Sequence, residues 1–194
     1  EISDLDDLRK RLLPSDRRCF AFFHPSMPDE PLIFIEVALT CEVPGSIDGI
    51  LLEKRVPLAP ENARVAVFYS ISNCQVGLRG ISFGNLLIKQ VVTELSLEMP
   101  NLNQFVTLSP IPNLNTWLES KLDDAELGFA ASEALEAQAS DDTVAKLAAR
   151  YLTTAKRNDG HPFDPVARFH LGNGAEIYAV ESTAVLGAPI VPAF

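Results

Sequence analysis

The sequence predicts a mixed α/β domain, on three observations. Four short apolar runs rich in β-branched and aromatic residues, at 19–23, 32–40, 63–69 and 104–108, read as strands. Strongly amphipathic segments lie between and after them. The third strand leads through a glycine-rich stretch straight into the best of these helices, and a fourth strand follows. The composition, 47% hydrophobic and 22% charged over 194 residues, is that of a globular chain able to bury a core.

Residues 2–13 read as a short helix, with Ile2, Leu5, Leu8 and Leu12 at three- and four-residue spacing, and Pro14 ends it. Cys19–Phe23 is a buried strand, and His24-Pro25 breaks it. The SMPDEP stretch that follows reads as a turn-rich loop. Leu32–Thr40 is the second strand. A short helix is expected at 46–53, between the prolines and glycine of 44–60, and Ala63–Tyr69 is the third strand.

Ser70–Gly84 carries Gly77, Gly80 and Gly84 and reads as a loop. The helix after it places Leu87, Val91 and Leu95 in one row with Ile88 and Val92 beside them, while Lys89, Gln90, Glu94 and Glu98 face outward. Pro100 stops it, and Gln104–Leu108 is the fourth strand. Residues 113–157 read as helical. Within them 123–142 is alanine-rich and acidic without a basic residue, a pattern for a solvated helical face or a mobile linker. Glu176–Val180 is the last expected strand.

Charge and cysteine content exclude several classes. The formal net charge is -10 and no basic patch is visible, which argues against a nucleic-acid partner. Cys19, Cys41 and Cys74 are too few and too widely spaced for a zinc site or a disulfide framework, and read as reduced thiols of a cytoplasmic protein. No apolar run is long enough to span a bilayer, so no membrane association is expected.

Three features invite chemistry. The glycine-rich stretch ahead of a helix N-terminus offers backbone N–H groups and the positive end of a dipole to a phosphate or pyrophosphate. Arg79 adds a bidentate cation there, and Lys89 lies one turn into the helix. Spacing alone also fits an ordinary turn, since the pattern is neither GxGxxG nor a Walker loop. Ser109 stands at a strand end, held extended by Pro110 and stiffened by Pro112; it also fits the simple role of capping the helix near 112–120. Of the three histidines, His161 looks exposed between Gly160 and Pro162, His24 is expected to be partly buried, and His170 precedes the Gly172-Asn173-Gly174 turn. A lone histidine is ordinarily structural. No G-x-S-x-G elbow exists for a hydrolase triad, and no clustered ligands for a metal.

FYSISNCQVGLRGISFGNLLIKQVV (68–92), LSPIPNLNTWL (108–118), HPSMPDEPLIFIEVALT (24–40) and DPVARFHLGNGA (164–175) together resemble the malonyl-CoA decarboxylase family. The resemblance spans most of the chain apart from 41–62 and 119–160. It implies a GNAT-like mixed sheet flanked by helices, with a helical insertion. It further implies that Arg79, Gly80, Ile81, Ser82, Phe83, Gly84 and Asn85 receive the coenzyme A pyrophosphate. The L-S-P-I-P motif carries the family's catalytic serine onto Ser109, and F-H-L-x-N-G-A its catalytic histidine onto His170. The S-I-S motif places a further serine important for activity at Ser70.

The implied reaction is decarboxylation of malonyl-CoA to acetyl-CoA and carbon dioxide, with His170 as proton donor and Ser109 orienting the malonyl thioester. No metal or other cofactor is expected, because the thioester is itself the electron sink. Ser82 stands where many relatives carry a glutamate. The expected division is 1–13 as a remnant of an N-terminal helical domain and 14–194 as the catalytic domain, truncated at its C-terminus. Homo-oligomerisation is an expectation of the same kind, as is a mitochondrial or peroxisomal location should the source be eukaryotic. Two alternatives stay open: a GNAT-like acyltransferase using the same loop, and a coenzyme A-binding module without turnover.

Overall fold

Alternating burial along β-branched runs is what a sheet with one covered face requires, and continuous burial marks a strand covered on both. A computed structural model describes residues 9, 11–52, 55–78, 84–181 and 190–193, with 78, 84–85 and 190–193 described by backbone alone. The chain divides into one unit ending at Leu108 and another beginning at Ser109.

In the first unit, β1 (Arg17–His24) and β2 (Met27–Thr40) form an antiparallel hairpin. A short helix, α1 (Ile47–Leu51), follows. β3 (Val65–Asn73) is antiparallel to β2, and β4 (Gln104–Thr107) is parallel to β3. In β2 burial alternates only around exposed Phe34, between Ile33 and Ile35, and is then continuous from Ile35 to Leu39, as it is over Val65–Tyr69 of β3. A parallel return needs a crossover. It is supplied by α2 (Gly84–Glu98), whose Ile88, Val91 and Leu95 are buried while Lys89, Gln90, Glu94 and Glu98 face out, as the periodicity predicts. Arg18 of β1 reaches Glu98 of α2 at 3.0 Å.

Two segments that look like loops in the sequence are strand. The hairpin turn is only Pro25-Ser26, and β2 runs through Pro28 and Pro31. The ladder shifts register beside them, between Phe22 and His24, which accommodates residues that cannot donate to it. Similarly, β3 continues through Ser70–Asn73 by pairing with Ile33–Glu36. Glu36 pairs with Ser70 and Val37 with Phe68, so Tyr69 is the extra residue of a β-bulge. The expected helix at 2–13 lies mostly outside the described residues, although Arg9, Arg11 and Leu12 are helical.

The start of β1 is tied down by buried charge. Asp16 is 3% and Arg17 5% exposed. Both Asp16 oxygens accept from the Arg55 guanidinium, Nη2 at 2.9 Å, and Oδ2 also accepts from Leu58 N–H at 2.9 Å. Arg17 donates to the Asp16 and Ile50 carbonyls and sits 6.0 Å from the centre of the Tyr69 ring. Burial pushes the Asp16 carboxyl up, but the Arg55 bond, the Leu58 amide and the two guanidinium charges outweigh it and hold the pKa below the usual value.

The second unit contains α3 (Leu114–Glu119), α4 (Gly128–Leu135), α5 (Asp141–Thr154) and α6 (Pro165–Gly172). They are followed by antiparallel β5 (Glu176–Val180) and β6 (Ile190–Ala193). Its core joins Ile111, Leu114 and Leu118 to Ala131 and Ala134, to Leu147, Ala148, Tyr151 and Leu152, and to Ala167. Within the acidic, alanine-rich stretch Gly128–Leu135 is a helix and not a linker: Ala131 and Ala134 pack into this core, while Asp123, Asp124, Glu126 and Glu136 stay exposed. Gly128 opens that helix because a Cβ there would collide with the Leu122 carbonyl. Among the described residues no helix is long and apolar enough to cross a membrane.

Removing one member of a buried charge cluster strands the others. Asp16→Ala is expected to cost about 3–5 kcal/mol in urea denaturation; a loss below about 1 kcal/mol would show that the cluster does not anchor β1.

Candidate active site

Ser109 follows β4 by two residues and precedes the Pro110-Ile111-Pro112 segment that leads into α3. It does not cap that helix, whose N-cap is Asn113. It is 8% exposed. His170 lies in the last turn of α6 and is 4% exposed. α6 starts where it does because Asp164 caps it, its Oδ1 accepting from Val166 N–H at 2.9 Å and Ala167 N–H at 3.0 Å, and because Pro165 needs no partner at the first helical position. Gly174 ends the element with φ +88°, a left-handed conformation that glycine adopts at no steric cost.

The serine hydroxyl and the imidazole meet. Ser109 Oγ is 3.0 Å from His170 Nε2, across 61 residues of chain. The shared core explains why: Ile111, Leu114 and Leu118 follow Ser109, Ala167 precedes His170, and all of them pack in the cluster built around α5. The neighbouring Phe169 ring stands edge-on to the imidazole at 5.0 Å between centroids. Burial drives the His170 pKa down to about 4, so the ring is neutral near pH 7. Among the described residues its Nδ1 has no hydrogen-bond partner. A neutral ring protonated on Nδ1 accepts the serine proton at Nε2; protonated on Nε2, it donates to the serine oxygen. Either tautomer leaves a buried imidazole–hydroxyl relay able to move one proton.

Ser70 belongs to β3, half-buried, with its hydroxyl 3.5 Å from that of Ser72. Gly84 and Asn85 open α2, and Lys89 is exposed. Arg79, Gly80, Ile81, Ser82 and Phe83 lie outside the described residues. His24 is exposed, contrary to expectation: it ends β1 beside the hairpin turn, paired with Met27, and its Nδ1 accepts from Ser26 N–H at 3.1 Å. His161 is exposed. The three cysteines are exposed free thiols, and the described residues contain no group of His, Cys, Asp or Glu able to hold a metal ion.

Apolar periodicity does not reveal α6, which is too short to show one. Asp164-Pro165, an N-cap followed by proline at the first helical position, is the signal that marks it.

The family model of the malonyl-CoA decarboxylase C-terminal domain matches residues 1–188. The chain belongs to the malonyl-CoA decarboxylase family. It is 35% identical over 209 residues to the mitochondrial malonyl-CoA decarboxylase of Anser anser anser, covering 90% of this chain and 41% of that one. To the mitochondrial malonyl-CoA decarboxylase of Mus musculus it is 35% identical, over 90% of this chain and 42% of that one. Among solved structures, malonyl-CoA decarboxylase from Rhodopseudomonas palustris aligns with a TM-score of 0.84 at 43% identity, over all of this chain and 50% of that one. The chain thus spans about half the length of these family members. The loading GNATL domain of CurA from Lyngbya majuscula, at 13% identity and a TM-score of 0.60, shares the fold, over 99% of this chain and 83% of that domain. This member of the malonyl-CoA decarboxylase family therefore has a GNAT-like fold, as the sequence motifs implied.

His170 makes stability pH-dependent. Its pKa is lower folded than unfolded, so the unfolded chain binds the proton more readily and stability falls as pH drops from about 6.5 to about 4. Comparing His170→Gln with the parent chain by urea denaturation across that range should show the parent losing about 3 kcal/mol more by pH 4; parallel curves would contradict a buried neutral imidazole.

Proposed function

We propose that this chain decarboxylates malonyl-CoA to acetyl-CoA and carbon dioxide at the Ser109–His170 pair. The observation that carries the reading is the 3.0 Å bond between two buried groups that fall at the family motifs L-S-P-I-P and F-H-L-x-N-G-A. Membership of the family supports the substrate.

The bond between the malonyl carboxylate and the α-carbon breaks. Its electron pair moves to the thioester carbonyl as an enolate, carbon dioxide leaves, and the α-carbon then takes a proton. Because the thioester carbonyl accepts the electron pair, no metal or prosthetic group is called for. Ser109 O–H orients the malonyl end or donates to the developing oxyanion, where a positioned donor is worth about 10²–10³ in rate. His170 takes up a proton from solvent as the substrate binds and passes it to the α-carbon, returning to the neutral ring. The incoming malonyl carboxylate, a negative charge beside a neutral imidazole, raises the ring's affinity for that proton. A water-poor pocket favours loss of the carboxylate charge, and the burial of both side chains supports that condition. By their motifs Ser70 is assigned a part in activity and residues 79–85 the coenzyme A diphosphate. The compartment proposed by default is the cytoplasm, or the mitochondrion or peroxisome if the source is eukaryotic.

Purified 194-residue chain is incubated with malonyl-CoA, with and without an amine acceptor, while carbon dioxide and acetyl-CoA are followed. Decarboxylation is expected, with kcat reduced by about 10² or more in both Ser109→Ala and His170→Asn. Acyl transfer to the amine, or coenzyme A binding without release of carbon dioxide, would overturn the proposal.

A further inference from the structure

Asp164 caps α6 with only half of its carboxylate. Oδ1 takes both helix N–H groups, whereas Oδ2 is buried without a hydrogen bond in a residue 1% exposed. A serine would cap equally well, so the second oxygen is surplus to that role. Tyr151 on α5 presents the complementary anomaly. It is 0% exposed, and its hydroxyl is also buried without a hydrogen bond. A phenylalanine would fill the same space without that cost. The two anomalies are neighbours: Tyr151 packs in one buried core with Ala167, whose N–H the Asp164 carboxylate caps, and burial first, with that carboxylate second, pushes the phenol pKa up against Arg168. The same ring tilts against Trp117 of α3 at 5.3 Å between centroids. Tyr151 thus touches the arm that leads away from Ser109 and the cap of the helix that carries His170.

We propose that Tyr151 and Asp164 are positioning residues for the Ser109–His170 pair: the Tyr151 hydroxyl donates to Asp164 Oδ2, locking α6 against α5 and fixing where His170 Nε2 meets Ser109 Oγ. Six residues of helix separate Asp164 from His170, about 9 Å of axial rise, so a slip or tilt at the cap is carried to the imidazole. A displacement of about 1 Å at reacting groups costs about 10² in rate. The kinetic consequence rests on the decarboxylase reading above; the geometric one does not.

The test uses the 194-residue chain with Tyr151→Phe, Asp164→Ser, Asp164→Asn and the double variant Tyr151→Phe/Asp164→Ser. The imidazole ¹⁵N resonances of the three histidines are followed from pH 4 to 8. In the parent chain His170 should stay in one neutral tautomer down to about pH 4. In Tyr151→Phe and Asp164→Ser its midpoint should rise by at least about one unit toward the ordinary value near 6.5 as water reaches a loosened ring, with mixed tautomers. His24 and His161, both exposed, serve as internal references for the spectra. Asp164→Asn keeps the capping oxygen and offers an N–H to the tyrosine oxygen, so it should behave as the parent. The double variant should be no worse than the worse single, as for one shared contact. His170 resonances unchanged in Tyr151→Phe, or additive effects in the double variant, overturn the proposal. If Asp164→Ser does not fold, the contrast between Tyr151→Phe and Asp164→Asn decides it. In turnover, Tyr151→Phe should lower kcat about tenfold or more at unchanged KM. A parent chain without turnover would count against the decarboxylase reading, while the histidine resonances would still decide whether Tyr151 and Asp164 position the pair.

Discussion

The hydrogen bond between Ser109 and His170 sets the demand that the rest of the second unit meets. Two polar side chains from distant parts of the sequence must be buried together at 3.0 Å, and each alone would be a desolvated liability. The serine is held by a strand end and two prolines, which leave its backbone little freedom. The histidine is held by a short helix that begins at a carboxylate cap and stops at a left-handed glycine. Between them, α5 supplies Leu147, Ala148, Tyr151 and Leu152 as a common wall. The burial that brings the pair together is also what keeps the imidazole neutral.

The first unit solves a different problem with the same means. A strand buried over five successive residues needs cover on both faces, and a parallel neighbour needs a helical crossover. β3, α2 and β4 supply that crossover in one continuous segment. The buried Asp16–Arg17–Arg55 cluster fastens the 50–58 segment to the start of β1. The Tyr69 bulge lies one residue before Ser70, a place where a ladder is commonly bent to aim a side chain.

Much of this architecture is legible in the chain. The 3.6-residue spacing of Leu87, Val91 and Leu95 identifies α2, and Glu176–Val180 is recognisable as a strand, because burial on one face leaves a period. Motif order alone marks Ser109 and His170. Legibility fails where local chemistry and tertiary pairing disagree. Pro28 and Pro31 look like a loop, yet edge pairing with a shifted register absorbs them. Ser70–Asn73 looks like the start of a glycine-rich turn, yet β2 is long enough to pair with it. The acidic alanine run looks solvated, because alanine carries too little hydrophobic contrast to announce a buried face.

By itself the sequence determined the residue types available for chemistry, the order of the elements and the family to which the chain belongs. Those properties follow from local periodicity, backbone restriction by proline and glycine, and motif identity. Only the tertiary structure decided that one hydroxyl of many and one imidazole of three share a bond, that His170 is stripped of water while His24 and His161 keep theirs, and that Tyr151 lies beside Asp164. The physical reason is that distance and desolvation belong to packed neighbours, and which neighbours pack is settled by the whole core at once.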